Sequence, residues 1–579
     1  MPFLQDHPRF SSIKLPPSGW VLAILLSVYI CTGLIGHDPW KHDDAITIGL
    51  VYDIYTNGNW LTPQLAGQPY PDAPLYYWVA ATAAHLFSWI LPLHDASRLA
   101  SGIFTLLALE FILLAARELH GKEHSAVAPL ALAGSIGFLY HAHEAQPMLA
   151  ALCAQAAAYW ALALLPRRPG FATPVLGAAL AASFLSNGLL PVLALLPAIA
   201  LSLWQSDNKP RLIAHLAAAL LVACALSAFW LLPLWLTAPK YLLSFFASES
   251  STLLAATNPI ANILRQLNLL TWYAWPALPL AAWALWSKRR LLNSRPMAWP
   301  GLSFVAVLLI LGAGVDIRSA PALLLLPPLV LIAAPGVASL RRGAANAFDW
   351  FAMMTFTFFA GFAWIAWSAL TFGWPERLAR QALRLHPGFT GSFDPFAAAF
   401  ALACTLAWLW LIATTPRSPM RSLMHWMAGL TLFWLLVATL WMPWIDYGKS
   451  YRPVAGALSS AIPARAATGK PDQGRCIANG NLPNSILATF DYYNGIRTLP
   501  LNSDEGKRCN WLLVLGEVRN PEGITAAGWR KTWEGKRPGD RRESDKFHLY
   551  RRDRARPTAD LPELPPTDTR ETAIPAPRP

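Results

Sequence analysis

The chain has 579 residues, of which 55% are hydrophobic and only 14% charged, with 27 tryptophans and a positive mean hydropathy. That composition excludes an ordinary soluble multidomain enzyme and indicates an all-α polytopic membrane protein. The net charge of +13 does not imply a nucleic-acid partner, because the basic residues lie in short clusters between apolar runs rather than in one patch or stripe.

The first apolar run, "GWVLAILLSVYICTGLIG" from residue 19, has no small-residue cleavage site after it and is expected to be a retained span. A second begins at "SRLASGIFTLLALEFILLAARELHG", residues 97 to 121. Further runs lie near 125–141, 146–165, 171–186, 188–205, 212–236, 269–287, 299–315, 319–339, 349–371, 394–414 and 424–444. About thirteen spans result, each long enough for about 30 Å of hydrocarbon. With a cytoplasmic N-terminus, this count puts Arg9 and Lys14, Arg117 and Lys122, Arg167 and Arg168, Lys209 and Arg211, Lys288 to Arg295, Arg341 and Arg342, and Arg417 and Arg421 all on the cytoplasmic side.

Residues 37–96 then form a long non-cytoplasmic loop. In it, "DDAITIGLVYDIYTN", residues 43–57, has apolar residues at helical spacing and Gly58 just beyond, as expected of an amphipathic helix on the membrane surface. "PLYYWVAATAAHLFSWIL", residues 74–91, is expected to be a second such helix. Two more outward loops cover 237–268 and 372–393, the latter a basic stretch suited to lipid headgroups. The transmembrane unit is thus residues 1–449.

From residue 450 to 556 the composition changes to that of a small soluble α/β domain, with strands expected at "RCIANG", "RCNWLLVLGEV" and "KFHLYRR". The tail, 557–579, is proline-rich and expected to be disordered. Cys31, Cys153, Cys224 and Cys404 lie within apolar runs and read as small hydrophobes. Cys476 and Cys509 fall in the outer domain, where a disulfide between them is expected.

The outer loop beginning "WKHDDAITIG" carries paired carboxylates beside a membrane span, where charge is costly and therefore informative. Here "DDA" from Asp43, "GNWLTPQLAGQPY" at 58–70 and "PLYYW" ending at Trp78 resemble the aminoarabinose transferase and protein O-mannosyltransferase group of polyprenyl-phosphate-dependent glycosyltransferases. Weaker likeness continues in "FLSNGLLP" and "RSAPALLLLPPLVLIAAP". The resemblance implies a GT-C membrane fold of about thirteen transmembrane helices. It further implies transfer of a sugar from a polyprenyl-phosphate donor to a glycolipid, such as a lipid A-like one, or to a protein hydroxyl. The site would be the periplasmic face of a bacterial inner membrane.

By the same resemblance Asp43 aligns with the family's first acidic residue and is the expected catalytic group, with Asp44 supporting it. Arg98 and Arg318 align with basic positions and are expected to contact the phosphate. Asp72, where the family has glutamate, and Tyr241, on the second outer loop, are expected donor contacts. No cofactor is implied with certainty; a divalent metal near Asp43 would need His42, His141 or His143 to converge there. Ala73 and Asn187 stand where the family carries lysines, so a non-catalytic relative that binds lipid-linked sugars is an alternative. A flippase for such lipids is another, though it would call for charges at mid-membrane.

Overall fold

The computed structural model of the protein describes residues 19–253, 256–314, 319–463, 476–516 and 528–552. Among them, seven helices are long and apolar enough to cross a membrane: Leu93–His120, Pro169–Asn187, Lys209–Thr237, Arg295–Ala313, Arg342–Phe372, Pro395–Thr414 and Arg421–Ala461. Five other expected spans are shorter apolar helices, Val21–Cys31, Met148–Leu164, Leu189–Trp204, Ala277–Ser287 and Pro321–Val337. The expected span at 125–141 is two short helices, Val127–Ala133 and Ile136–Ala142.

Length and apolar composition thus mark seven of the thirteen expected spans, and the other six coincide with shorter apolar helices. An apolar run records hydrophobicity and not helix continuity. Gly188, at φ +59°, separates Pro169–Asn187 from Leu189–Trp204 at the boundary expected between the runs 171–186 and 188–205, whereas the Pro259–Tyr273 helix stops just before the Ala277–Ser287 helix inside the single run 269–287. Met148–Leu164 is buried along nearly its whole length, whereas Lys209–Thr237 exposes Leu221, Phe229 and Leu236. Such an apolar outer face suits contact with lipid.

The loop between the first two apolar helices is ordered. His42–Asn57 is a helix closed by Gly58 in the left-handed conformation, at φ 69° and ψ 22°, the arrangement that spares a side chain the αL penalty. Asp53 in its last turns accepts from Asn57 Nδ2 at 2.7 Å, Asn59 Nδ2 at 2.9 Å and the Gln64 amide at 2.8 Å. These bonds fold "NGNWLTPQ" back on the helix and lead into a hairpin that pairs Gln64 with Pro69 and Leu65 with Gln68. Its turn residues Ala66 and Gly67 have φ of 50° and 82°, as a two-residue type I′ turn requires. The chain then enters the Leu75–Phe87 helix.

The amphipathic surface helix expected over 43–57 is instead enclosed. Ten of its residues, from Asp44 to Ile54, are buried, because the C-terminal domain covers it. A Cβ on Gly49 would lie 2.8 Å from Ala488 Cβ in the Asn484–Asn494 helix, so glycine permits the two helices to meet. Tyr492 of that helix also bonds His94 Nδ1 at 2.8 Å.

Among the described residues the C-terminal region forms a five-stranded sheet in the order Leu499–Pro500, Ile477–Asn479, Trp511–Leu515, Phe547–Arg552, Trp529–Gly535. The first two pairings are parallel and the last two antiparallel. Ile477–Asn479, the Asn484–Asn494 helix and Leu499–Pro500 make one βαβ unit, whose helix packs on the membrane-embedded part. A disulfide joins Cys476 to Cys509 with Cα atoms 4.8 Å apart, tying the ends of the two neighbouring strands that follow them.

Candidate active site

Consecutive helical residues point about 100° apart, and this separates the paired aspartates. Asp44 turns inward and is buried with Arg98. Arg98 Nε donates to Asp44 Oδ1 at 3.0 Å and Nη2 to Oδ2 at 2.7 Å, a bidentate pair, while Nη1 donates to Asp95 Oδ1 at 3.0 Å and to the His37 carbonyl at 2.7 Å. Asp44 Oδ1 also accepts from the Ala145 amide at 2.7 Å. Burial alone would push the Asp44 carboxyl up, but the Arg98 guanidinium outweighs it and holds the group below the usual carboxylate range.

Asp43 turns the other way and stays half-buried. Its Oδ2 accepts from Gln146 Nε2 at 3.0 Å. Its position in the first turn of the His42–Asn57 helix puts the carboxylate in the favourable field of the helix N-terminus.

Asp43 stands on the wall of two cavities. The first, of about 480 Å³, is also lined by Asp72, Glu249, Asn187 and Gln146, and by apolar side chains such as Leu190 and Leu311. Asp72 Oδ2 accepts from the Tyr77 hydroxyl at 2.5 Å and Oδ1 from the Ala73 amide at 2.7 Å. Burial raises the Asp72 carboxyl above its ordinary value despite these bonds. Burial likewise raises Glu249, whose Oε2 accepts from the Leu189 amide at 2.9 Å. Gly188 makes that placement possible: at its φ of +59°, a Cβ would lie 2.1 Å from Glu249 Oε2.

The second cavity, of about 250 Å³, is lined by Lys41, Lys449, Arg537, His141 and Glu144 besides Asp43. Lys41 Nζ lies 3.1 Å from Glu144 Oε2 and 4.0 Å from the Tyr140 ring centroid. Burial opposes the Lys41 charge, but Glu144 outweighs it and raises the ammonium above its ordinary value. Arg537 is paired bidentately with Asp540, at 2.9 Å and 2.9 Å. Among the described residues Lys449 has no carboxylate partner. Asp446, which accepts from the Asp38 amide at 3.0 Å and Trp40 Nε1 at 2.9 Å, holds the segment that carries Lys41.

The whole architecture is similar to solved structures. It matches ArnT from Cupriavidus metallidurans bound to undecaprenyl phosphate with a TM-score of 0.66 over 92% of this chain and 98% of that one, at 16% identity. The chain has the GT-C fold of ArnT. The apo state of that protein matches with a TM-score of 0.61 at 17% identity, over 92% and 98% of the two chains. The archaeal oligosaccharyltransferase AglB from Archaeoglobus fulgidus, in complex with an inhibitory peptide and a dolichol-phosphate, overlaps with a TM-score of 0.44 at 12% identity, over 93% and 74%. No protein-family model matches the sequence, and no curated protein does.

Within this ArnT fold, the expected site residues divide. Asp43 and Asp72 come together at the first cavity. Asp44 and Arg98 do not line it: every nitrogen of the guanidinium is engaged and both groups are buried as an ion pair at the first turn of the helix. Tyr241 does not line it either: its hydroxyl donates to the Tyr70 carbonyl at 2.7 Å and accepts from the Asp72 amide at 3.4 Å. It positions the backbone that presents Asp72. Arg318 lies outside the described residues.

Two of the histidines that a metal at Asp43 would need are engaged elsewhere. His143 is directed at the Tyr29 and Leu139 carbonyls, His141 pairs with Glu144, and among the described residues no three His, Cys, Asp or Glu side chains are grouped to hold a metal. Gln146, Glu249, Lys41, Lys449 and Arg537 are residues that the motif comparison missed. A lone acid in the otherwise weakly charged "SFFASES" was the one available signal for Glu249.

Proposed function

We propose that the protein transfers a sugar from a polyprenyl-phosphate donor to an anionic, lipid A-like glycolipid at the periplasmic face of a bacterial inner membrane. The observation that carries this reading is the position of Asp43 on the wall of two cavities, one partly apolar and acid-lined and one where Lys41, Lys449 and Arg537 stand with Glu144 and only Lys449 has no carboxylate partner among the described residues. The similar ArnT structure is bound to undecaprenyl phosphate, and the first cavity, with Leu190 and Leu311 in its wall, suits the donor. Acid groups with raised affinity for protons, Asp72 and Glu249, are suited to hydrogen-bond a sugar. The second cavity, where Lys449 has no carboxylate partner among the described residues, suits an anionic acceptor and favours a glycolipid over a protein hydroxyl.

In the reaction, Gln146 holds one oxygen of Asp43 and leaves Oδ1 for the acceptor hydroxyl. Asp43 takes the hydroxyl proton as the acceptor oxygen bonds the anomeric carbon, and the bond from that carbon to the phosphate oxygen breaks with its electron pair leaving on the lipid phosphate. The Asp44–Arg98 pair keeps the helix turn in place while Asp43 changes charge.

One observation favours a second reading, a chain that binds the donor without turning it over. No described lysine or arginine lines the donor cavity, and the family's lysine positions are Asn187 in its wall and Ala73, buried in the cluster with Trp230 and Tyr241. Mass spectrometry of envelope glycolipids with and without the gene distinguishes these. A one-sugar mass difference on an anionic glycolipid supports transfer, the same difference on a protein moves the acceptor assignment, and no difference in either supports binding alone.

A further inference from the structure

The Met148–Leu164 helix has Met148 in the wall of the donor cavity and Leu162 in the wall of a third cavity, of about 310 Å³, at the other end of the bundle. This is the end that the basic clusters assign to the cytoplasm. The cavity lies where the helices ending at Leu164 and Trp204 meet those starting at Pro169, Lys209 and Arg295. Three basic side chains line it, Arg211, Arg295 and His215, against one carboxylate, Asp207.

These three side chains differ in how they are held. Arg295 Nη2 donates to the Gln205 carbonyl at 2.9 Å and the guanidinium lies 6.0 Å from the Trp299 ring centroid. Trp299 is fixed in turn by Nε1 donating to Gln205 Oε1 at 3.2 Å. His215 Nδ1 is 3.0 Å from the Thr173 hydroxyl. Arg211 is exposed, and neither guanidinium has a carboxylate partner among the described residues. The remaining wall is apolar, through Leu162, Leu165 and Leu212. Beyond it the Lys209–Thr237 helix presents Ile213, Leu220 and Leu221, exposed by 55%, 59% and 72%.

We infer that this cavity is a binding site for the phosphate headgroup of an anionic phospholipid from the leaflet opposite the donor site. The headgroup phosphate would lie between Arg211 and Arg295, with an acyl chain along the apolar face of Lys209–Thr237. Two uncompensated guanidinium groups supply the fork geometry that phosphate oxygens accept. Basic pockets between membrane helices at this depth are suited to anionic headgroups, and the apolar wall selects a lipid over a free anion.

The test uses the full-length protein purified in detergent and stripped of lipid, then titrated with phosphatidylglycerol, with phosphatidylcholine of the same chains, or with inorganic phosphate, and read by native mass spectrometry. The expected result is one phosphatidylglycerol retained per chain, with phosphatidylcholine at least about tenfold weaker. Arg211→Gln is the first variant, since the Arg211 side chain makes no hydrogen bond within the described structure and only its amide bonds Asn208. It should fold as the parent does and hold phosphatidylglycerol about tenfold less tightly, and Arg211→Gln/Arg295→Gln should abolish the preference between the lipids. Equal retention of both lipids by the unaltered protein, competition by millimolar phosphate as effective as by lipid, or undiminished retention by Arg211→Gln would overturn the inference.

Discussion

Replacing Arg98 by methionine separates a positioning role from a substrate-binding one. In the structure Arg98 is fully buried and makes four hydrogen bonds, two to Asp44, one to Asp95 and one to the His37 carbonyl. After Arg98→Met, Asp44 keeps only the Ala145 amide and becomes a buried carboxylate without a counter-charge, a situation that costs about 3–5 kcal/mol. Asp95 retains the Gly36 amide at 3.0 Å and contributes less. Removing both charges, in Asp44→Leu/Arg98→Met, should restore much of that loss, because an apolar pair of similar volume replaces a desolvated ion pair at little net cost. Unfolding of the purified protein in detergent, followed by tryptophan fluorescence, measures all three variants and the parent. A coupling energy of about 2 kcal/mol or more between the two sites supports the account. If Arg98→Met is as stable as the parent yet loses affinity for the polyprenyl phosphate, Arg98 is a phosphate ligand and the reasoning from its four bonds is wrong.

Burial raises the Asp72 carboxyl, so the folded protein holds that proton more tightly than the unfolded chain does. Its contribution to stability is then greatest below the ordinary carboxylate value of about 3.9 and is lost as pH rises through that value toward the raised one. Asp72→Asn should therefore flatten this limb of the stability profile, which unfolding midpoints taken at acidic and neutral pH would show. The disulfide closes a 33-residue separation between Cys476 and Cys509, for which loop entropy gives about 3–4 kcal/mol. Replacing both with alanine should lower the unfolding midpoint of the C-terminal sheet, detectable by hydrogen exchange in Trp511–Leu515, while unchanged exchange there would show that the bridge adds nothing.

Much of the outer loop was legible because its signals are local. The 43–57 helix and its Gly58 stop follow from periodicity and backbone conformation, and the structure adds one residue, His42–Asn57. The hairpin was not drawn out, although Ala66-Gly67 between Gln64 and Pro69 carries its turn chemistry. The aspartates could not be separated by spacing alone, since only the Arg98 side chain, arriving from another helix, decides which one faces inward. Glu249 and Lys449 come from segments far along the chain to line the cavities that Asp43 also lines, and no short-range pattern encodes that meeting. The surface-helix expectation failed for a related reason: the apolar residues that suggested a lipid-facing stripe are those on which the C-terminal domain packs, at Gly49 and Ala488. Apolar runs located the membrane helices but not every break, as between Tyr273 and Ala277, where two helices divide the single run 269–287.

In the proposed reaction Asp43 carries the transfer chemistry while Asp44 and Arg98 hold its helix turn in place. The most direct measurement is sugar transfer by Asp43→Asn in liposomes containing a polyprenyl-phosphate-linked sugar and an anionic glycolipid, with unfolding midpoint and donor affinity measured alongside. The account expects a fall in transfer of about 10²–10⁴-fold, at parental stability and with the donor still bound, since asparagine preserves the shape and a partner for Gln146. Full transfer by Asp43→Asn would contradict it.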